Sequence, residues 1–132
     1  MSAKRSILLV DDDHDTLDLL EVILFKDYEL GTCLNGFEGL SRAQQEHPDL
    51  VITDIMMPVM DGIKLINSLR HQPETAGIPV VAITSFTEKH SVKGLLNVGF
   101  RDVITKPFSR EDVLSTIRGI LGDERKDSPS RA

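Results

Sequence analysis

Short apolar runs alternate with amphipathic stretches along almost the whole chain. The runs Ser6–Val10, Leu50–Ile52 and Val80–Ile83 are rich in branched residues and predict strands that are buried on both faces. Leu30–Leu34 and Asp102–Thr105 are shorter apolar runs, and each predicts a further strand. Five strands are therefore expected, each separated from the next by room for a helix.

Apolar residues at helical spacing predict a helix after each strand. The predicted helices run from about His14 to Phe25, Asn35 to before Pro48, Gly62 to Arg70, Glu88 to Val98, and Ser109 to Leu121. Asn35 with Glu38, and Ser109 with Asp112, have the spacing of capping boxes. Strands that alternate with helices in this way predict right-handed βαβ units, and hence an α/β fold with a parallel sheet covered on both faces.

Length and composition indicate one domain. The chain has 132 residues, which is typical of a single domain, and residues 1–122 are assigned to it. Asp123–Ala132 is polar and charged, without large apolar residues, so this tail is expected to be disordered. The tail is too short for a DNA-binding helix-turn-helix. The sequence does not decide whether the domain acts alone or continues through a linker into an output domain.

The charge pattern and the single cysteine exclude several classes of protein. The net charge is −6 and there is no basic patch, which argues against direct nucleic-acid binding, because that needs clustered Lys and Arg. No apolar run approaches the ~18 residues of a membrane span. Cys33 is the only cysteine, so no internal disulfide can form and a cytoplasmic location is expected. Its apolar neighbours favour a buried structural thiol.

Polar residues end or follow the predicted strands. Asp11 and Asp12 follow the first strand, Asp54 ends the third, Thr84 ends the fourth and Lys106 ends the fifth. In parallel α/β sheets these strand ends share one edge, where ligands bind. Three carboxylates, a hydroxyl and an ammonium are therefore expected together. The plainer alternative for Asp54 is that it only ends its strand and caps a turn.

This group of side chains is suited to phosphoryl chemistry. Three carboxylates outweigh one ammonium, and their repulsion is costly without a counter-ion. Mg²⁺ fits such a site, because it binds a few carboxylates, keeps several waters and accepts phosphate oxygens. Asp54 would then be placed as a nucleophile that forms an aspartyl phosphate. Thr84 could donate a hydrogen bond to one phosphoryl oxygen and Lys106 could neutralise another.

Taken together, these residues resemble the receiver domain of two-component response regulators. The resemblance covers about residues 5–121 and rests on four motifs. They are Ile7–Asp13, Asp54 with Met57-Pro58 and Asp61-Gly62, Thr84, and Lys106-Pro107-Phe108. The resemblance implies a flavodoxin-like, doubly wound sheet of five parallel strands in the order 2-1-3-4-5, with five helices. It also implies a signalling switch in which Asp54 takes a phosphoryl group from a histidine kinase or a histidine phosphotransfer protein.

The resemblance assigns metal ligands and an output surface. Asp12 and Asp54 would be direct Mg²⁺ ligands, Asp11 would act through water, and the backbone carbonyl of Met56 would be a further ligand. Phosphorylation would change the surface of helix 4, strand 5 and helix 5, where a downstream protein or a second copy would bind. The chain would catalyse only its own phosphorylation and dephosphorylation.

The resemblance also implies a switch mechanism. Thr84 and Lys106 would sense the phosphoryl group, and the Lys106–Pro107 peptide bond is expected to be cis. Family members often have Tyr or Phe three residues before the lysine as a rotamer switch, whereas this chain has Val103. The switch is therefore expected to be absent or rerouted through Phe100 or Phe86. Alternatively, Phe100 simply packs under helix 4.

A second departure concerns the lifetime of the phosphorylated state. In the family, the residues two after the phosphoacceptor and two after the threonine flank the approach of water. Here they are Met56 and Phe86. Because neither side chain can orient a water molecule through hydrogen bonds, self-dephosphorylation is expected to be slow.

Two other functions share some of these features. A phosphatase with an aspartate nucleophile would carry Asp-x-Asp-x-Thr after the first strand, but here Asp11-x-Asp13 is followed by His14 and Asp15, so the threonine is missing. The other alternative is a phosphorylation-independent interaction module that has kept the fold. The full set of five polar residues argues against it, whereas Val103 leaves it open.

Overall fold

Five strands and five helices alternate along the described part of the chain, as the sequence predicts. The structure is a computed structural model that describes residues 4–85 and 90–122. Asp123–Ala132, the tail predicted to be disordered, lies outside these residues. The strands are β1 (Arg5–Val10), β2 (Tyr28–Cys33), β3 (Leu50–Asp54), β4 (Val80–Ser85) and β5 (Asp102–Lys106). The helices are α1 (His14–Leu24), α2 (Gly36–Glu46), α3 (Gly62–Arg70), α4 (Val92–Val98) and α5 (Arg110–Leu121).

The strands form one parallel sheet in the order β2-β1-β3-β4-β5, which confirms the predicted fold. Alternate residues of β1 face opposite sides of the sheet. Ile7 and Leu9 belong to the core cluster that packs against α1 and α5. Leu8 and Val10 belong to the cluster that packs against α2, α3 and α4. The three central strands β1, β3 and β4 are mostly apolar because both of their faces are buried, whereas the edge strands β2 and β5 are partly exposed. Among the described helices, none is long and apolar enough to cross a membrane.

β2 and α4 begin two or more residues away from their predicted starts. β2 begins earlier, at Tyr28, because this residue is buried and pairs in register with Arg5. α4 begins later, at Val92, because the Ser91 side chain accepts a hydrogen bond from the Gly94 N–H and caps the helix there.

The predicted caps are present, with one exception. The Asn35 side chain accepts a hydrogen bond from the Glu38 N–H, and Ser109 with Asp112 forms a full capping box. The Glu38 carboxylate accepts from the N–H of Leu34, not from that of Asn35. The prediction that the Glu38 side chain bonds the Asn35 N–H and completes a capping box is therefore wrong.

One arginine covers the open edge of β2. Gly31 has no side chain, and a Cβ there would lie only 2.7 Å from the Arg42 guanidinium. Arg42 therefore rests over the strand, donates to the Thr32 carbonyl at 2.9 Å and pairs with Glu46 at 2.8 Å. The neighbouring Cys33 thiol is buried, as expected, and burial raises its pKa to about 11. This thiol stays protonated at neutral pH.

Gly62 lets α3 begin directly against the end of β3. Its N–H donates to the Ile55 carbonyl at 2.8 Å. A Cβ at this position would press on the Asp54 carbonyl oxygen and lie 3.0 Å from the Ile55 Cα. Since both are backbone atoms, neither can move aside without displacing the strand end that carries Asp54.

We expect Gly62→Ala to lower the free energy of unfolding by about 2 kcal/mol or more, as overpacking against fixed atoms does. Gly119→Ala is the matched control, because Gly119 lies inside α5 with open space around it. Alanine there should raise the free energy of unfolding by up to about 1 kcal/mol. Urea unfolding followed by circular dichroism measures both changes. Equal stability of the two variants would contradict the close packing at Gly62.

Candidate functional site

Three carboxylates meet at the carboxyl ends of two neighbouring strands. Asp11 and Asp12 follow β1, and Asp54 is the last residue of β3. Because β1 and β3 pair in parallel, with Val10 opposite Thr53, these strand ends lie side by side. One oxygen from each carboxylate lies within 4.8 Å of one from each of the others. The structure thus brings together the three acidic residues that the sequence predicts.

Burial makes the charge of Asp11 costly. Its side chain is 2% exposed, and this burial is the largest cause of a raised pKa. The N–H of Asp13 donates to the Asp11 Oδ1 at 2.9 Å. This hydrogen bond and the charge of Lys106 lower the pKa of Asp11, whereas the charges of Asp12 and Asp13 raise it further. Its Oδ2 is buried and accepts no hydrogen bond. Asp11 therefore presents an oxygen that a cation could use.

Lys106 supplies the positive charge of the site. Its Nζ lies 3.6 Å from the Asp11 Oδ2 and 3.9 Å from the Asp54 Oδ2. The lysine ends β5, beside Ser85 of β4, and its side chain is partly buried. The Lys106–Pro107 bond is cis, as expected. One ammonium is thus shared between two buried carboxylates.

Asp54 is held at a fixed position in the site. It is 6% exposed, and its Oδ1 accepts a hydrogen bond from the N–H of Ile55 at 2.8 Å. Thr84 lies near the end of β4, one residue beyond the partner of Asp54 in the sheet register, and is 2% exposed. Its hydroxyl contacts the Ser85 carbonyl at 3.5 Å. The sheet therefore places the predicted hydroxyl at the same edge as the carboxylates.

The donor set fits Mg²⁺. Carboxylate oxygens are the ligands that this hard cation prefers. A cation would also compensate the charge on the Asp11 Oδ2, which is buried without a hydrogen bond, and would offset the repulsion within the cluster. Asp12 is exposed and can bind a cation that enters from the solvent side. Met56 lies in the loop after β3, where its side chain is 54% exposed; the role of its carbonyl stays a prediction.

The structure places Phe100 and Val103, two of the predicted switch residues, in or near the core. Phe100 is 3% exposed and packs in the cluster under α4, where its N–H donates to the Leu95 carbonyl at 3.3 Å. This is the placement expected if Phe100 has a structural role. Val103 is half-buried against the same cluster, and Phe86 lies outside the described residues. A rerouted switch stays a prediction.

Two features of the site were missed by the sequence analysis. The N–H of Asp13 donates to Asp11, and the Asp13 carboxylate accepts a hydrogen bond from the Thr16 hydroxyl at 2.9 Å. The Thr16 hydroxyl is also the main reason why the pKa of Asp13 is lowered. Val59 has a φ of 73°, in the left-handed region that branched residues avoid. Backbone bonds gave no signal in the sequence, and a valine gives no sign of a positive φ.

The chain is similar to known proteins over most of its length. Residues 7–118 match the family model of the response regulator receiver domain. The chain is 34% identical over 127 residues to the alkaline phosphatase synthesis transcriptional regulatory protein PhoP of Bacillus subtilis. This alignment covers 96% of this chain and 52% of PhoP. The chain is also 32% identical over 120 residues to the polar-differentiation response regulator DivK of Brucella ovis. This alignment covers 90% of this chain and 98% of DivK. The structure of the chemotaxis response regulator CheY4 of Vibrio cholerae aligns with a TM-score of 0.82 and 29% identity, over 90% of this chain and 100% of CheY4.

We expect Mg²⁺ to raise the Tm of the protein, because a cation that binds the folded carboxylate cluster stabilises the folded state. Asp12→Asn should reduce this rise by more than half, since it removes one charge from the cluster. Asp18→Asn makes the same change at an exposed position of α1 and should keep the full rise. Thermal unfolding with and without MgCl₂, at constant ionic strength, measures the effect. An equal rise in both variants would place the bound cation elsewhere.

Proposed function

The chain belongs to the family of response regulator receiver domains, and on this premise we propose that it is a phosphoacceptor switch of a two-component system or phosphorelay. Its donor would be a histidine kinase or a histidine phosphotransfer protein, and its acceptor would be Asp54. The observation that carries the proposal is the Lys106 ammonium, which lies 3.6 Å from Asp11 and 3.9 Å from Asp54. This is the arrangement that binding of an anionic group beside Asp54 requires.

The proposed step is transfer of a phosphoryl group to Asp54. A carboxylate oxygen of Asp54 attacks the phosphorus of the phosphohistidine. A phosphorus–oxygen bond forms as the phosphorus–nitrogen bond breaks, and the electron pair of the broken bond stays on the imidazole nitrogen, which takes up a proton. Burial of Asp54 and its bond to the Ile55 N–H limit the motion of the attacking group, which favours transfer through orientation.

The neighbouring side chains stabilise the transferred group. Lys106 neutralises one phosphoryl oxygen, and the Thr84 hydroxyl donates a hydrogen bond to another. Asp12 and Asp54 would hold Mg²⁺ directly, with Asp11 acting through water and the Met56 carbonyl as a further ligand. When bound there, the cation supplies neutralisation of the charge on the transferred group.

The proposal extends to the output of the switch. Phosphorylation would shift the population of two arrangements of α4, β5 and α5, and a downstream protein or a second copy would bind one of them. The protein would act as an enzyme only on itself. The single cysteine, a free buried thiol, supports the cytoplasm as its location.

Incubation with phosphoramidate and Mg²⁺ is expected to add one phosphoryl group, because the site needs only positioning and charge neutralisation to accept it. Intact mass spectrometry measures the adduct, which should survive acid and be lost in mild base. Asp54→Asn should give no adduct, whereas Asp18→Asn should be modified like the wild type. Failure of several small donors to modify a folded protein would sink the proposal and favour a phosphorylation-independent interaction module.

Met56→Asn is expected to speed loss of the phosphoryl group by about fivefold, the factor that one ordinary hydrogen bond contributes to a rate. An amide can hold the attacking water by hydrogen bonds, whereas a thioether accepts them only weakly. Met60→Leu keeps an apolar side chain in the same loop and should decay at the wild-type rate. The decay is followed by intact mass after the donor is removed. Equal rates for wild type and Met56→Asn would show that Met56 does not control access of water.

A further inference from the structure

Three methionines lie in the loop between β3 and α3, and they differ in exposure. The Met56 side chain is 54% exposed, whereas Met57 and Met60 are half-buried and pack against the core cluster under α2, α3 and α4. Met60 approaches Gly36 so closely that a Cβ on the glycine would lie 3.0 Å from the Met60 Cγ. Of these three residues, Met56 is the one most exposed to a reagent in solution.

The loop keeps Met56 beside the phosphoacceptor. Met56 follows Asp54 by two residues, and the intervening Ile55 is buried in the core. The loop is fixed by two backbone bonds, from the Gly62 N–H to the Ile55 carbonyl at 2.8 Å and from the Gly36 N–H to the Met60 carbonyl at 3.2 Å. A chemical change at the exposed Met56 sulfur can therefore alter the surroundings of Asp54 without unfolding the loop.

The cysteine does not compete for the same reagent. Cys33 is 1% exposed, and burial raises its pKa to about 11. Thiols react with peroxides as thiolates, so this thiol is both inaccessible and in the unreactive form. Among the sulfur-containing residues that the structure describes, Met56 is thus the one most accessible to an oxidant.

We propose that Met56 is an oxidation site and that its sulfoxide shortens the lifetime of the phosphoryl group on Asp54. This proposal rests on the function proposed above. Hydrogen peroxide transfers one oxygen atom to the Met56 sulfur. A sulfur–oxygen bond forms as the oxygen–oxygen bond breaks; the sulfur loses two electrons, and the remaining oxygen leaves as water. Methionine sulfoxide reductases reverse the reaction.

The sulfoxide changes the polarity of the side chain. A thioether is a weak hydrogen-bond acceptor, whereas a sulfoxide is polar and its oxygen accepts hydrogen bonds well. Hydrolysis of an aspartyl phosphate needs a water molecule aligned with phosphorus, and the sulfoxide oxygen can hold one. Oxidation therefore replaces an apolar cover with a group that assists the attack, and the phosphorylated state ends sooner.

The test compares decay of the phosphoryl group before and after oxidation. The protein is treated with hydrogen peroxide, the peroxide is removed with catalase, and peptide mass spectrometry locates the added oxygen. The protein is then phosphorylated with phosphoramidate and Mg²⁺, and loss of the group is followed by intact mass. We expect Met56 to be oxidised before Met57 and Met60, decay to be about fivefold faster, and a sulfoxide reductase to restore the original rate. An unchanged rate with Met56 oxidised would overturn the proposal.

Two variants assign the effect to one sulfur. In Met56→Leu, the decay rates before and after peroxide should be equal, whatever the basal rate of that variant. Met60→Leu should keep the full response. A response that persists in Met56→Leu, or oxidation of Met57 ahead of Met56, would contradict the proposal. If untreated wild type takes up no phosphoryl group, the proposed function itself fails; normal phosphorylation without a peroxide response defeats only the oxidation site.

Discussion

The structure depends on a balance of charge at the carboxyl ends of its strands. Asp11 and Asp54 are almost fully buried, and burial penalises their charged forms. Lys106 opposes this cost, but it stands on β5, with β4 and β3 between it and β1. Only a long cationic side chain at a strand end can reach both carboxylates from there. The backbone N–H groups of Asp13 and Ile55 donate to the Oδ1 atoms of these two carboxylates. Asp12 is exposed, so the site is open to solvent on that side.

Close backbone packing keeps that balance in place. Gly62 sets the first turn of α3 against the end of β3, and Gly36 brings the start of α2 against Met60. The loop after Asp54 is therefore held by two helices of the same face, although Val59 within it adopts a positive φ. Local strain of this kind persists where the surrounding structure fixes the chain, and such positions cluster at functional sites.

Much of the fold could be predicted because its signals are local. Strands buried on both faces contain unbroken apolar runs, as in Leu50–Ile52. The carboxyl ends of strands in a parallel sheet lie together, so the meeting of Asp11, Asp12 and Asp54 followed from the order of elements. The start of β2 could not be predicted, since it depends on pairing with β1. The sequence predicted Lys106 near the carboxylates, but not which oxygens it would approach. It also left open whether Phe100 packs under α4 or acts in a switch, because the burial of Phe100 depends on how distant segments pack.

The arginine that rests over Gly31 has a consequence for the behaviour of the protein at high concentration. β2 is an edge strand, and unpaired carbonyl and N–H groups on such an edge are templates for strands of other molecules. Arg42 donates a hydrogen bond to the Thr32 carbonyl. Its guanidinium, paired with Glu46, lies over the strand. A strand of another molecule that paired with β2 would have to break these Arg42 contacts and bury the guanidinium. The missing side chain of Gly31 thus leaves room for a guanidinium that hinders pairing of another strand at this edge.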